Sequence, residues 1–86
     1  MTMAHDGLVV AITGSGQGIG RALARSFTRE GAHVVVSDID AAACRAAADE
    51  LATLGVPADI TRAEDCAALV AKTVEQFGRL DVMVCN

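Results

Sequence analysis

Apolar residues fall along this chain in short unbroken runs that alternate with helical stripes. Leu8 to Thr13 is a continuous apolar run closed by a threonine, the pattern of a strand covered on both faces. Behind it Ile19, Leu23 and Phe27 recur every four residues and predict a helix from about Gly18 to Glu30 that stops at Gly31. A second strand, His33 to Ser37, carries Val34, Val35 and Val36 in succession. Asp40 is placed to cap a second helix, Ala41 to Leu54, closed by Gly55; it is alanine-rich, with Ala47, Leu51 and Leu54 as its inward stripe. A third strand, Val56 to Ile60, contains Pro57, which lacks a ladder donor and belongs at a strand start or a sheet edge. Thr61 and Glu64 have capping-box spacing for a third helix. Its predicted buried stripe is Cys66, Val70, Val74 and Phe77, with Leu69 beside it, and Gly78 ends it. Leu80 to Cys85 reads as a fourth strand that finishes at Asn86.

Strands alternating with helices imply parallel pairing through right-handed crossovers. The predicted fold class is α/β, a doubly wound parallel sheet of four strands in the order 3-2-1-4 with three helices. That order places Pro57 at an edge and reverses between strands 1 and 4, where ligands bind at the carboxyl ends. The first two helices cover one face, and the third crosses to the other. One helix does not cover four strands, so Leu8 to Ile12 and Leu80 to Val84 are expected to expose apolar surface. Strand 4 is expected to be an open edge, and the isolated chain to be marginally stable or self-associating. The sheet therefore reads as incomplete, with residues 1–86 forming the N-terminal part of a single dinucleotide-binding domain.

The chemistry is concentrated between Thr13 and Gly20. A strand that turns through glycines directly into a helix leaves the first helical N–H groups unpaired, and these form an anion site with the helix dipole. Glycine allows φ > 0 there and keeps no Cβ between backbone and phosphate. The spacing is G-x-x-x-G-x-G through Gly14, Gly18 and Gly20, and it suits a dinucleotide pyrophosphate or a plain strand-to-helix turn. Thr13 and Ser15 bring hydroxyls to the loop, with strand and turn roles equally open to them. Asp38 ends the second strand 20 residues past Gly18, the separation of a carboxylate that holds the adenosine ribose. Such a carboxylate repels the 2′-phosphate of NADP: like charges about 4 Å apart cost on the order of 4 kcal/mol at an effective dielectric of 20. Neither Gln17 nor Ile39 is basic, so NAD is the expected cofactor. Asp59 suits either a hydrogen bond from the adenine amino group or a turn before the third helix. Arg21 and Arg25 read as solvated charges on the first helix.

Composition narrows the partners. A net charge of −4 without a basic run argues against nucleic acid or an anionic membrane. Met1 to Gly7 has no basic leader region and the apolar run after it is five residues long, which leads to the expectation of a cytoplasmic protein. Cys44, Cys66 and Cys85 show no metal or disulfide spacing, and Cys44 and Cys66 read as small hydrophobes on helix faces. His5 and His33 are isolated and are given no chemistry. No metal site is expected.

With these residues laid out, the chain resembles the opening part of the short-chain dehydrogenase/reductase family, whose fold is Rossmann-like. Thr13 to Gly20 is similar to the family's T-G-x-x-x-G-x-G cofactor loop, including Ile19 between the last two glycines. Asp38 matches the ribose-binding acid of NAD-preferring members, and Asp59-Ile60-Thr61 is similar to a D-V-T segment at the adenine. Leu80 to Asn86 looks like the strand leading into an N-N-A-G motif, with Cys85 in place of the first Asn and Asn86 matching the second. The resemblance implies cofactor contacts at Gly14, Ser15, Gln17, Gly18, Ile19, Gly20, Asp38, Ile39, Asp59, Ile60 and Asn86. It also implies hydride transfer between NAD and an alcohol or carbonyl substrate, in a whole protein that assembles as a homo-oligomer. The family's catalytic Ser and Tyr-x-x-x-Lys are not among these 86 residues, which contain no tyrosine, so no residue here is read as catalytic. A non-catalytic nucleotide-binding or regulatory module is the alternative, with a methyltransferase-like fold disfavoured by Thr13-Gly14 and Gly18-Ile19-Gly20.

Overall fold

A computed structural model describes residues 7–86. The reading of His5, and most of that of the first seven residues, lies outside them. The order of elements is β1 (Val9–Ile12), α1 (Gly18–Arg29), β2 (His33–Val36), α2 (Ala41–Leu51), α3 (Ala63–Phe77) and β3 (Val82–Val84). The sheet is parallel and ordered β2-β1-β3, with Val10 opposite both Val34 and Val82, and Ile12 opposite Val36 and Val84. This is the α/β architecture that the alternation predicts.

The predicted third strand does not form. Residues 54–58 run beside β2, in the place expected for it, but make only an isolated bridge between Val36 and Gly55. Val36 N–H donates to Leu54 O at 3.0 Å, Val56 N–H to Val36 O at 2.9 Å and Ala58 N–H to Asp38 O at 3.1 Å. Pro57 supplies no donor, which suits an outer edge and limits the segment to this loose pairing.

Helix ends and faces also differ from the periodicity in part. The α2 helix stops at Leu51 rather than Leu54, because Ala52 takes a left-handed conformation (φ 52°). From there the Thr53 hydroxyl bonds Val34 O, drawing the chain to the sheet. Asp40 caps α2 as expected, accepting from Ala43 N–H at 3.0 Å. The capping box of α3 is absent: Thr61 donates its hydroxyl to Asp59 at 2.6 Å, and Glu64 pairs with Arg62, the residue in the N-cap position.

On α1, Gly20 and Ala24 face the sheet, Leu23 and Phe27 flank them, and Ile19 points outward. Small residues win this face because they let the helix axis approach the strands closely. On α3, Leu69 and Thr73 are buried while Val70 and Val74 are exposed. Thr73 satisfies its hydroxyl on Leu69 O at 2.7 Å, so its burial leaves no orphaned polar group.

The core has two layers. Val10, Ile12, Val34 and Val36 pack under α1 and α2, with Ala24, Cys44, Ala47 and Ala48. Ala11, Val35, Val56 and Leu69 form the layer under α3, with Phe77 and Leu80 beside them. Consequently β1 is buried on both faces, against the expectation of exposed surface from Leu8 to Ile12; in β3, Val82 and Met83 are exposed, as anticipated. Cys44 is one of the core fillers: burial pushes its thiol up, and the sulfur donates to Val36 O at 3.5 Å. His33 stacks on Phe77 with ring centroids 5.3 Å apart, a packing role at the opposite end of β2 from Asp38.

Candidate functional site

Because all strands are parallel, the carboxyl ends of β1, β2 and β3 share one edge of the sheet. There β1 runs through residues 13–17 into α1. Gln17 occupies the N-cap position in an extended conformation and makes no side-chain capping bond. Gly18 turns the chain at φ 61°, and a Cβ on it would meet nothing within 4 Å. Among the described residues the amides of Gln17, Gly18, Ile19 and Gly20 have no protein acceptor; Arg21 N–H, bonded to Gln17 O at 3.3 Å, is the first that does. The start of α1 is thus a cluster of open donors at the positive end of a helix dipole.

The floor of this cluster is tightly built. A Cβ on Gly20 would lie 2.2 Å from Gly14 O, so only glycine lets α1 rest on the loop. Asn86 donates its side-chain amide to Gly14 O at 3.3 Å and its backbone N–H to Thr13 Oγ1 at 3.1 Å. Ser15 is buried; its hydroxyl donates to Ile12 O at 2.6 Å and accepts from Ser37 N–H at 3.0 Å. The hydroxyls of Thr13 and Ser15 therefore knit the strand ends together. Their partners are backbone groups of Ile12, Ser37, Val84 and Asn86.

Asp38 is 5% exposed and sits against the loop. Its Oδ2 accepts from Gly16 N–H at 3.0 Å, and its Oδ1 accepts from Asp40 N–H at 2.9 Å. The carboxylate is thereby fixed in orientation while keeping lone pairs for further donors. Asp59 is half-buried beyond it; the Thr61 hydroxyl and amide, at 2.6 and 2.9 Å, hold its carboxyl below the ordinary range. Around this rim Ile19, Ile39 and Ile60 are 75%, 71% and 51% exposed, a set of large apolar side chains left uncovered by the fold. No group of three His, Cys, Asp or Glu among the described residues is placed to hold a metal ion.

The structure also contains a feature that the sequence reading missed. Arg21 and Arg25, read as solvated, converge on Glu50 of α2 with contacts of 2.8 and 2.6 Å. The two guanidiniums, Arg25 before Arg21, hold the Glu50 carboxyl down at about 2. Their spacing of four on one helix face was the available signal; the partner lies on another helix, beyond the reach of local periodicity.

The family model described as short chain dehydrogenase matches residues 8–86. The chain belongs to the short-chain dehydrogenase/reductase family. Among curated relatives, L-fucose dehydrogenase of Bos taurus is 46% identical over 83 residues, covering 95% of this chain and 31% of the relative. Sorbitol dehydrogenase of Cereibacter sphaeroides is 40% identical over 86 residues, covering 98% and 34%. In shape, 3-ketoacyl-(acyl-carrier-protein) reductase from Brucella melitensis, solved in complex with NADH, superposes with a TM-score of 0.88 at 39% identity. That match covers 91% of this chain and 33% of the reductase. A hydroxysteroid dehydrogenase from Escherichia coli gives 0.87 at 36%, covering 91% and 34%. This short-chain dehydrogenase/reductase chain therefore spans about a third of the length of the relatives it matches.

The family's fold binds a nicotinamide dinucleotide, and the geometry of this chain fits one. A diphosphate needs convergent donors free of side chains, which the open amides from Gln17 to Gly20 and the bare Gly18 provide. A ribose needs an oriented acceptor nearby, which Asp38 is. In this short-chain dehydrogenase/reductase chain no helix is long and apolar enough to cross a membrane, among the described residues.

Proposed function

We propose that this chain is the NAD-binding portion of an oxidoreductase that moves hydride between a nicotinamide and an alcohol or carbonyl compound. The observation that carries the reading is the open amide cluster at the start of α1, set beside a carboxylate that is itself pinned to the loop. Gly14, Gln17, Gly18, Ile19 and Gly20 cradle the pyrophosphate through backbone groups, and Ser15 and Asn86 brace the loop from beneath. Asp38 accepts from the ribose hydroxyls. Ile39 and Ile60 give apolar walls to the adenine, with Asp59 accepting from its amino group. When bound, the nicotinamide supplies the hydride acceptor or donor; this chain's residues bind and orient, and none of them is given a catalytic role.

Asp38 makes NAD the cofactor rather than NADP, by repelling a 2′-phosphate. The alcohol or carbonyl substrate class is supported by the relatives' names, which include an L-fucose and a sorbitol dehydrogenase and a 3-ketoacyl reductase. Three free cysteines and a net charge of −4 support a cytoplasmic protein without nucleic-acid or membrane partners. The exposed edge at β3 supports a whole protein that buries more surface, with homo-oligomeric assembly.

The test is titration of the protein with NADH and NADPH, followed by the fluorescence of the nucleotide itself, since the chain has no tryptophan to interfere. NADH is expected to bind more tightly. Asp38→Ala is expected to weaken NADH and to narrow or reverse the ranking. An unchanged ranking in that variant sinks the ribose assignment, and absence of nucleotide binding by the folded protein sinks the whole reading.

A further inference from the structure

The carboxylate of Glu50 receives four hydrogen bonds. Arg21 Nε and Nη2 reach Oε1 at 3.1 and 2.8 Å; Arg25 Nε reaches Oε2 at 2.6 Å and its Nη2 reaches Oε1 at 2.9 Å. Arg25 alone engages both carboxylate oxygens, so Glu50 has a complete partner without Arg21. The position of Arg21 is the informative one. It lies one turn beyond Gln17 on α1, and its remaining nitrogen, Nη1, reaches Gly16 O at 3.5 Å. On the other side of Gly16, the backbone N–H donates to Asp38 Oδ2 at 3.0 Å. A guanidinium therefore stands across a single residue from the carboxylate read as the ribose acceptor.

NADP differs from NAD by one phosphate on that ribose. A guanidinium is the side chain whose planar fork best fits a phosphate, through two parallel N–H donors. In Arg21 one such pair of donors, Nε and Nη2, is taken up by Glu50. We propose that Glu50 is a specificity-determining residue: by holding Arg21 against α2 it withholds from the ribose site the cation that would receive a 2′-phosphate. Preference for NAD then has two parts, a repelling carboxylate at Asp38 and a sequestered guanidinium at Arg21. The inference rests on the reading that Asp38 faces the ribose.

Both side chains are partly exposed, so water screens the effect to the size of a surface charge pair, about two- to fivefold in affinity. The experiment measures the NADPH-to-NADH ratio of dissociation constants at low salt by nucleotide fluorescence. It compares the unchanged protein with Glu50→Gln, Arg21→Met and the double variant. Glu50→Gln is expected to lower the ratio about two- to fivefold, chiefly through tighter NADPH, with the gain fading as salt rises. The double variant is expected to return to the starting ratio, and Arg21→Met alone to keep it. Equal weakening of both cofactors by Glu50→Gln would mean that the glutamate only braces the helices, and would overturn the assignment. So would a shift in Arg21→Met alone, a test that stands even if the Glu50 variant folds poorly. Asp38→Ala in the same assay separates the two readings. If it leaves the ratio unmoved, the ribose assignment fails; if it moves the ratio and Glu50→Gln does not, only the Glu50 assignment fails.

Discussion

The amide of Gly16 donates to Asp38 Oδ2 at 3.0 Å across a gap with no room for a methyl group. A Cβ on Gly16 would stand 2.9 Å from that oxygen and 3.0 Å from the carbonyl carbon of Ala43. Gly16 does not have a positive φ, so space, not backbone conformation, demands the glycine here. Gly16→Ala should push the carboxylate off the loop and cost about 1–3 kcal/mol of stability, the range of a small overpacking. Thermal melting and NADH titration of the variant check both effects; the affinity loss should exceed what partial unfolding accounts for.

Two other loop glycines should rank in a definite order. On Gly20 a Cβ would meet the backbone oxygen of Gly14 at 2.2 Å, and neither partner can swing aside. On Gly18 it would meet nothing, although φ is 61°. Gly18→Ala should therefore cost only the left-handed penalty of about 1–2 kcal/mol. Gly20→Ala should cost more, at or above about 3 kcal/mol. Denaturant midpoints measured side by side decide the ranking, and the reverse order would contradict the packing described for α1.

Acid should dissolve the tie between α1 and α2. The Glu50 carboxyl is lowered from its ordinary 4.5 to about 2 by Arg25 and Arg21. A group depressed in the folded state contributes stability that is present above its unfolded value and lost as pH falls through the folded one. The contribution of Glu50 should thus be full above about pH 4.5 and gone near pH 2. Melting temperatures of the unchanged protein and Glu50→Gln should differ at neutral pH and converge across that window, by a small margin because the pair is exposed.

At the edge of the sheet β3 pairs on one side only, with β1, and leaves Val82 and Met83 exposed. Unpaired strand edges with apolar side chains recruit other strands. The 86-residue polypeptide should therefore sediment as a concentration-dependent mixture, and Val82→Lys should shift it toward monomer. A monomer at all concentrations without the substitution would contradict this.

Backbone pattern was the most legible part of the sequence. The apolar runs of β1 and β2, the glycine loop, the Asp40 cap and the Gly78 stop are all local signals, and each appears where it was read. Faces were less legible. Val70 and Val74 look like core and are not, because Leu69 and a self-satisfied Thr73 fit the space under α3 better. Ile19 looks like a helix stripe residue but yields to Gly20, which alone permits contact with Gly14. The third strand is not legible locally because pairing depends on a neighbour: Pro57 and the left-handed Ala52 leave residues 54–58 alongside β2 without a regular ladder. At the candidate site Asp38 could be placed from spacing. The link from the Ser15 hydroxyl to Ser37 and the meeting of Arg21 with Glu50 could not, since both depend on partners more than 20 residues away.

Helix α2 is fastened to Gly16 at both of its ends: through Asp40 and Asp38 at the start, and through Glu50 and Arg21 near the finish. Its length is therefore not free to drift. One extra residue between Ala41 and Glu50 would carry the glutamate about 100° around the axis and unhook it from both arginines. An insertion within α2 should accordingly be poorly tolerated, and a lower melting temperature of a one-residue insertion variant checks this.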